Sequence, residues 1–331
     1  MVKRIISCFI CLATLISCLQ LLSCSSGKTN AFSFYALDTV IEISVESLGK
    51  ERDEKIISLI KETVSGYENV FSRTKTNSEV YKINNSEKTE FKISDDLREV
   101  IAVSLDIAEK SGGTFDFTCG ALSELWQIGN ADADIPSPDE IENALSKCGY
   151  GKVSLNGSTL TRSVGVIMDF GAVAKGYIAE KLTGMLKDNG VSYGILSLGG
   201  NISVFGDRPG KDGYNIGVKN PYGDGIRGYV SVDCGYVSVC GTYERNKTVD
   251  GVFYHHVFDM ETGYPSSGGI VSVLMVSENG AQADALSTAL LVMGETRAEN
   301  FIESHGTEMG AVFFFDDQRI KSIGNVNYTK G

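Results

Sequence analysis

The middle of the chain contains the sequence Gly165-Val-Ile-Met-Asp-Phe-Gly-Ala-Val-Ala-Lys-Gly-Tyr177. The apolar run from Val164 to Met168 predicts a buried strand, and apolar residues at four-residue steps from Ala174 to Leu186 predict a helix after it. A helix N-terminus at this point would place free backbone N–H groups beside Asp169 and Lys175. Such an arrangement can hold a pyrophosphate and its metal ion. An ordinary strand–turn–helix explains these residues equally well when they are taken alone.

The N-terminus has the features of a bacterial export signal. A basic pair and an apolar run occupy residues 3–22, and the run ends in the box Leu21-Leu22-Ser23-Cys24. We expect residues 1–23 to be a lipoprotein signal peptide, Cys24 to carry the lipid and residues 24–30 to form a tether. The protein would then be anchored to a membrane of the cell envelope, facing outside the cytoplasm. A competing box ends at Cys18, and a plain transmembrane anchor is the alternative.

Length and composition limit the remaining possibilities. Residues 31–331 are expected to form a single domain, long enough for one large core or two closely packed lobes, and no inner linker marks a domain boundary. The net charge of −12 and the lack of a basic patch argue against nucleic acid as a partner. The cysteines at 119, 148, 234 and 240 have no zinc-ligand spacing. Whether Cys234 and Cys240 form a disulfide is left open by the sequence.

Strand and helix patterns alternate along the chain. Apolar and β-branched residues predict strands over Phe32–Val45 and Ser192–Leu198. Helical spacing predicts a helix from Ile56 to Phe71 and another that begins after Ser94, and Ser137–Glu140 has the form of a capping box. The pattern indicates an α+β fold with mixed or antiparallel sheets and flanking helices.

Two further segments carry polar residues of possible chemical importance. His255 and His256 are adjacent, so on a strand at most one of them would face a site, and a structural histidine is the common alternative. Asp284 and Thr288 lie four positions apart on an apolar helix, and a hard cation such as Mg2+ would satisfy both side chains. Alternatively, Thr288 bonds to its own helix and Asp284 pairs with an arginine.

Seven short blocks, taken together and in order, resemble the ApbE-type FAD:protein FMN transferases over residues 31–331. The blocks are Ser78-Glu-Val, Gly113-Thr-Phe-Asp-Phe-Thr, Asp169-Phe-Gly-Ala-Val-Ala-Lys-Gly-Tyr, Leu198-Gly-Gly-Asn, Gly241-Thr-Tyr-Glu-Arg, His256-Val-Phe-Asp and Ala283-Asp-Ala-Leu-Ser-Thr-Ala. The resemblance implies two closely packed lobes around a flavin cleft. It also implies Mg2+-dependent transfer of FMN from FAD to a Ser or Thr hydroxyl of an exported or membrane redox protein, with release of AMP.

The same resemblance implies roles for individual residues. The metal would be held by the Ala172 carbonyl, Asp284 and Thr288, and His256 would be the catalytic residue. The residues implied in FAD binding are Leu37, Thr74, Thr114, Phe115, Asp116, Asp169, Lys175 and Phe258.

This chain departs from the family pattern at several positions. Leu37 replaces a usual Met, Thr74 a frequent Tyr, Cys240 a usual Ser and Met260 a usual Pro. The missing Tyr removes an aromatic partner for the flavin ring. Two alternatives to the transferase follow: a metal-dependent FAD pyrophosphatase that yields FMN and AMP, and a lipoprotein that binds flavin without catalysis.

Overall fold

The computed structural model describes residues 28–130, 132–305 and 309–331. The predicted signal peptide, Cys24 and the tether up to residue 27 lie outside these ranges. The helices are α1 (Lys50–Phe71), α2 (Glu79–Asn84), α3 (Asp95–Lys110), α4 (Gly120–Trp126), α5 (Pro138–Leu145), α6 (Ala174–Asp188), α7 (Gly280–Met293) and α8 (Glu295–Ser304). Within the described ranges no helix combines the length and apolar character needed to cross a membrane.

The strands form one large sheet and three small ones. They are β1 (Thr29–Ala36), β2 (Thr39–Glu46), β3 (Glu90–Lys92), β4 (Val153–Asn156), β5 (Thr159–Arg162), β6 (Gly194–Leu198), β7 (Asn201–Phe205), β8 (Tyr214–Lys219), β9 (Ile226–Val232), β10 (Gly235–Gly241), β11 (Asn246–Val249), β12 (Val252–His255), β13 (Ile270–Ser277), β14 (Gly310–Phe315), β15 (Ile320–Gly324) and β16 (Asn327–Lys330). The large sheet has the order β1-β2-β6-β7-β10-β13-β14-β15, and its neighbouring strands are antiparallel. The predicted α+β fold with antiparallel sheets and flanking helices is therefore confirmed.

The large sheet is covered on both faces. One face shares a hydrophobic core with α1, α3, α6 and α7. The other face packs against the small sheet of β8, β9 and β16. A separate, smaller core surrounds Trp126 and includes residues of α4, α5 and the segment after β12. The molecule thus consists of a large unit built on the sheet and a smaller unit built around Trp126.

The predicted strand pair at residues 32–45 is confirmed as β1 and β2, and β1 begins at Thr29, inside the segment expected to be tether. A two-residue turn at Leu37 and Asp38 connects the strands. Both residues have positive φ, 53° and 56°, a region that side chains other than glycine, asparagine and aspartate rarely adopt. Leu37 is held there partly by Glu68, whose carboxylate accepts a hydrogen bond from the Leu37 N–H at 2.8 Å.

The prediction of a strand over Val164–Met168 is wrong, although the helix predicted after it is present as α6. Val164 is exposed, and only Ile167 pairs with another segment, through a single bridge to Cys119. The backbone N–H and carbonyl of Met168 are both satisfied by the side-chain amide of Asn84, at 3.0 and 2.8 Å. A side chain therefore replaces the neighbouring strand that the apolar run seemed to require.

The cysteines of the described residues are free thiols. Cys234 directly precedes β10, and Cys240 is the next-to-last residue of that strand. Six residues of extended strand span about 20 Å, whereas a disulfide requires Cα atoms within about 7 Å. These two cysteines therefore do not pair with each other.

Candidate active site

Two helices cross unusually closely at a pair of glycines. A Cβ atom added to Gly176 of α6 would lie 2.0 Å from the Gly280 carbonyl oxygen of α7. A Cβ added to Gly280 would lie 2.4 Å from the Gly176 oxygen. Any side chain at either position would push the helices apart. The glycines therefore allow α7 to bring Asp284, one turn further along, to the N-terminus of α6.

Asp284 is buried and bonded to three elements of the large unit. Its Oδ2 accepts a hydrogen bond from the Gly176 N–H at 3.1 Å, near the positive end of the α6 dipole. Its Oδ1 accepts from the Asn201 side-chain amide at 3.1 Å and from the Ser238 hydroxyl at 3.3 Å. The alternative in which Asp284 pairs with an arginine is wrong. Three donors leave one acceptor position of the carboxylate available for a ligand.

The contact between Asp284 and Gly176 also affects Ala172. In a regular helix the Gly176 N–H would bond to the carbonyl four residues earlier, which is that of Ala172. Because this N–H points to Asp284 instead, the Ala172 oxygen receives no backbone hydrogen bond from the described residues. A carbonyl left without its usual partner beside a carboxylate suits a cation.

Thr288 lies one turn beyond Asp284 on α7, and its hydroxyl is near the Cys240 thiol, whose pKa it lowers. Burial raises the pKa of Cys240 to about 12, so this residue stays a neutral thiol at neutral pH. Within the described residues no group of three or more His, Cys, Asp or Glu side chains is arranged to hold a metal. A cation here would depend on carbonyl, carboxylate and hydroxyl oxygens, which are the ligands that Mg2+ prefers.

Lys175 and Glu244 form the charged wall of the site. The Lys175 ammonium donates a hydrogen bond to the Gly171 carbonyl at 2.7 Å, in the turn before α6. Burial raises the pKa of Glu244, while the positive charge of Lys175 lowers it. Glu244 keeps an exposed surface, although neighbouring residues remove part of its hydration. Glu244 belongs to the Gly241-Thr-Tyr-Glu-Arg block, but no sequence pattern indicates a role for it.

His256 has one ring nitrogen available for chemistry. Its Nδ1 lies 3.2 Å from the Arg245 carbonyl, which can only accept, so Nδ1 carries the proton and Nε2 is an acceptor. Burial lowers the pKa of His256 to about 4, with the charges of Arg245 and Lys175 adding to the effect. The imidazole is therefore neutral at physiological pH and can accept a proton at Nε2.

His255 has a different environment. It is buried at the end of β12; its Nε2 donates to the Ser266 carbonyl at 2.9 Å, and its Nδ1 accepts from the Val257 N–H at 3.2 Å. Both ring nitrogens are satisfied by backbone, as the structural interpretation of one histidine predicts. The strand ends at His255 rather than continuing through both residues, so His256 is oriented by the turn after β12.

The segment from Thr114 to Asp116 contributes buried side chains. The Phe115 ring belongs to the main core, and the Thr114 hydroxyl donates to the Ser111 carbonyl at 3.2 Å. Asp116 accepts hydrogen bonds from the Thr118 N–H and hydroxyl and from the Tyr150 N–H. These side chains stabilise the turn after α3 by hydrogen bonds within the protein.

Asp169, another predicted flavin residue, is held by two hydrogen bonds. Its Oδ1 accepts from the Gly171 N–H at 2.9 Å, and its Oδ2 accepts from Arg73 Nε at 3.0 Å. Thr74, next to Arg73, is exposed, and Leu37 occupies the turn described above. Arg73 was missed by sequence reasoning, because nothing local to residue 73 indicates a carboxylate partner almost a hundred positions away.

Phe258 differs from the other predicted flavin residues because its side chain is buried in the smaller unit. Its ring lies 6.3 Å from that of Trp126, and its backbone forms a bridge with Pro265. The Phe258 side chain is therefore part of a core. The structure thus brings Lys175, Asp284, Thr288 and His256 to one region near Glu244 and Cys240.

Comparisons with known proteins show the family to which the chain belongs. A model of the ApbE family matches residues 37–313. The FAD:protein FMN transferase of Treponema pallidum is 33% identical over 67% of this chain and 66% of its own length. That of Klebsiella pneumoniae strain 342 is 27% identical over 82% of this chain and 84% of its own. The solved structure of the ApbE protein of Thermotoga maritima superposes with a TM-score of 0.83, at 31% identity, over 89% of this chain and 97% of its own.

Proposed function

Because the chain belongs to the ApbE family, we propose that it transfers FMN from FAD to a Ser or Thr hydroxyl of an acceptor protein and releases AMP. Family membership makes the chain an enzyme of the transferase class. The observation that supports the detailed reaction is the convergence of the Lys175 ammonium, the Asp284 carboxylate at a helix N-terminus and a neutral His256. These are the groups that a phosphoryl-type transfer from a pyrophosphate requires.

The proton balance of the reaction assigns a role to His256. The acceptor hydroxyl attacks the phosphorus of the FMN half, the bond to the AMP oxygen breaks, and the hydroxyl proton passes to a base. Nε2 of His256 is suited to take this proton, because Nδ1 is held by the Arg245 carbonyl. General base catalysis of this kind contributes roughly 10²–10⁴-fold to a rate. Lys175 would face the negative charge of the pyrophosphate.

The oxygen atoms around Asp284 fit Mg2+. The Ala172 carbonyl lacks a backbone partner, Asp284 keeps one acceptor position, and Thr288 adds a hydroxyl on the same helix face. We propose that these three residues hold the ion. Bound Mg2+ would neutralise charge on the pyrophosphate and on the departing AMP.

We also propose that the protein works at the surface of a membrane of the bacterial envelope. The support is the apolar run of residues 5–22 and the cleavage box that ends in Cys24. A lipid anchor at this position would place the domain outside the cytoplasm. The acceptor would then be an exported or membrane redox protein whose Ser or Thr becomes linked to FMN.

The test is to incubate the purified protein with FAD and Mg2+, with and without an envelope protein extract from the same organism. We expect AMP to appear with the extract. Its amount should equal the amount of protein-bound flavin, measured by flavin fluorescence after denaturing electrophoresis. His256→Gln should abolish both signals. AMP and free FMN in equal amounts, without protein-bound flavin, would indicate FAD hydrolysis instead. FAD that binds and remains intact would indicate a flavin-binding protein without catalysis.

A further inference from the structure

Arg73 contacts the candidate site without belonging to any group of residues assigned so far. We propose that Arg73 is a positioning residue for FAD: it holds the Asp169 carboxylate in the orientation that accepts a hydrogen bond from a hydroxyl or amino group of FAD. This inference rests on the proposed function, since it takes Asp169 as a contact of FAD. It assigns Arg73 an effect on FAD affinity and none on the chemical step.

The guanidinium of Arg73 connects two carboxylates from different parts of the chain. Its Nε donates to Asp169 Oδ2 at 3.0 Å, and one terminal nitrogen donates to Glu124 Oε1 of α4 at 3.3 Å. The side chains of Arg73 and Asp169 are only 22% and 23% exposed. Screening by water is therefore weaker here than for an ion pair on an open surface.

The backbone around Asp169 is fixed without Arg73. The Asp169 N–H donates to the Phe117 carbonyl at 2.7 Å, and the Asn84 amide binds both polar backbone groups of Met168. Removing the guanidinium should therefore leave the chain path intact. Only the direction of the Asp169 carboxylate depends on Arg73.

The Asp169 carboxylate accepts two hydrogen bonds within the protein and keeps free acceptor positions. The Gly171 N–H binds Oδ1 at 2.9 Å, and Arg73 binds Oδ2, so together they fix the plane of the group. Each oxygen retains a second lone pair that a donor of FAD can use. Without Arg73 the Asp169 carboxylate would accept a single hydrogen bond and could rotate. FAD binding would then have to restrict this rotation, which lowers the affinity.

The experiment measures the FAD dissociation constant from the change in flavin fluorescence at equilibrium, without acceptor protein. Arg73→Gln should weaken FAD binding by up to about tenfold, the scale of ordering one side chain when a ligand binds. Arg98→Gln is the matched control, because Arg98 also faces two carboxylates, Asp95 at 3.4 Å and Glu99 at 3.8 Å, but lies outside the site. It should leave the dissociation constant unchanged.

A positioning role predicts three further results. In an Asp169→Asn background, Arg73→Gln should change the FAD dissociation constant less than about twofold, because the two residues act through one contact. Arg73→Lys should recover part of the loss, and kcat at saturating FAD should stay at the wild-type value in both Arg73 variants.

Several results would overturn the inference. Unchanged or tighter FAD binding in Arg73→Gln would show that the ion pair is inert or closes the site. Fully additive effects of Arg73→Gln and Asp169→Asn, or a fall in kcat with unchanged affinity, would also contradict it. If the variants behave as expected but the wild-type protein transfers no FMN, the inference stands and the proposed function fails.

Discussion

The close crossing of α6 and α7 predicts that Gly176→Ala is strongly destabilising. The new methyl carbon would lie 2.0 Å from the Gly280 oxygen and 2.8 Å from the Cβ of Asp284. Both neighbours belong to the body of α7, so no flexible side chain can move aside. The helices would have to separate, which would lengthen the hydrogen bond between the Gly176 N–H and Asp284.

The magnitude follows from two separate effects. Overpacking a rigid interior site costs about 1–3 kcal/mol of the free energy of unfolding. Replacing glycine by alanine within a helix gains about 0.5–1 kcal/mol from reduced freedom of the unfolded chain. We expect the clash to exceed the gain and to lower the free energy of unfolding by about 1–2 kcal/mol.

Gly184→Ala is the matched control in the same helix. Gly184 is exposed on α6, and a Cβ added there would have no heavy atom within 4 Å. Without a clash, only the gain from replacing glycine by alanine in a helix remains. It should raise the free energy of unfolding by about 0.5–1 kcal/mol.

Urea denaturation followed by circular dichroism compares the two variants with the wild type. The two alanine substitutions should shift the unfolding midpoint in opposite directions. Gly176→Ala should also weaken Mg2+ binding, whereas Gly184→Ala should not. A Gly176→Ala protein as stable as the wild type would refute the helix crossing and the placement of Asp284 that depends on it.

Four further predictions follow from the site and the N-terminal segment. Asp284→Ala should remove Mg2+ binding in calorimetry together with AMP release, and unchanged binding would exclude Asp284 as a ligand. Because the neutral form of His256 is the active one, kcat/KM should be constant near pH 7 and fall as the pH drops through about 4. An inflection near pH 6.5, the ordinary pKa of histidine, would contradict this. His256→Ala should lower kcat by at least roughly 10²-fold with little change in FAD affinity. His255→Ala should mainly lower the melting temperature, and the reverse pattern would show that His255 is the catalytic residue. Cys24→Ser should release the protein from the membrane fraction or block its processing, and a variant that is processed and anchored normally would rule out lipidation at Cys24.

Much of the fold could be predicted because it depends on local patterns. Helix α6 and the hairpin of β1 and β2 were indicated by periodicity, and Ser137 with Glu140 forms the expected capping box. The prediction of a strand at residues 164–168 is wrong because an apolar run indicates burial but does not show which group bonds to the backbone. There the partner is the Asn84 side chain, more than eighty residues away.

The environment of the candidate site could not be obtained from local patterns. Asp284 and Thr288 were correctly placed on one helix face, but the Gly176, Asn201 and Ser238 partners of Asp284 come from three distant elements. No spacing rule connects them, since the contact depends on how closely two helices can approach at glycine.

The most direct test of the central claim is the mass of an acceptor peptide. Envelope proteins incubated with this protein, FAD and Mg2+ would be digested and analysed by mass spectrometry. The account predicts a Ser or Thr peptide heavier by one FMN less one water, formed in equal amount to AMP and absent with His256→Gln. Free FMN in equal amount to AMP, with every acceptor peptide at its unmodified mass, would contradict it.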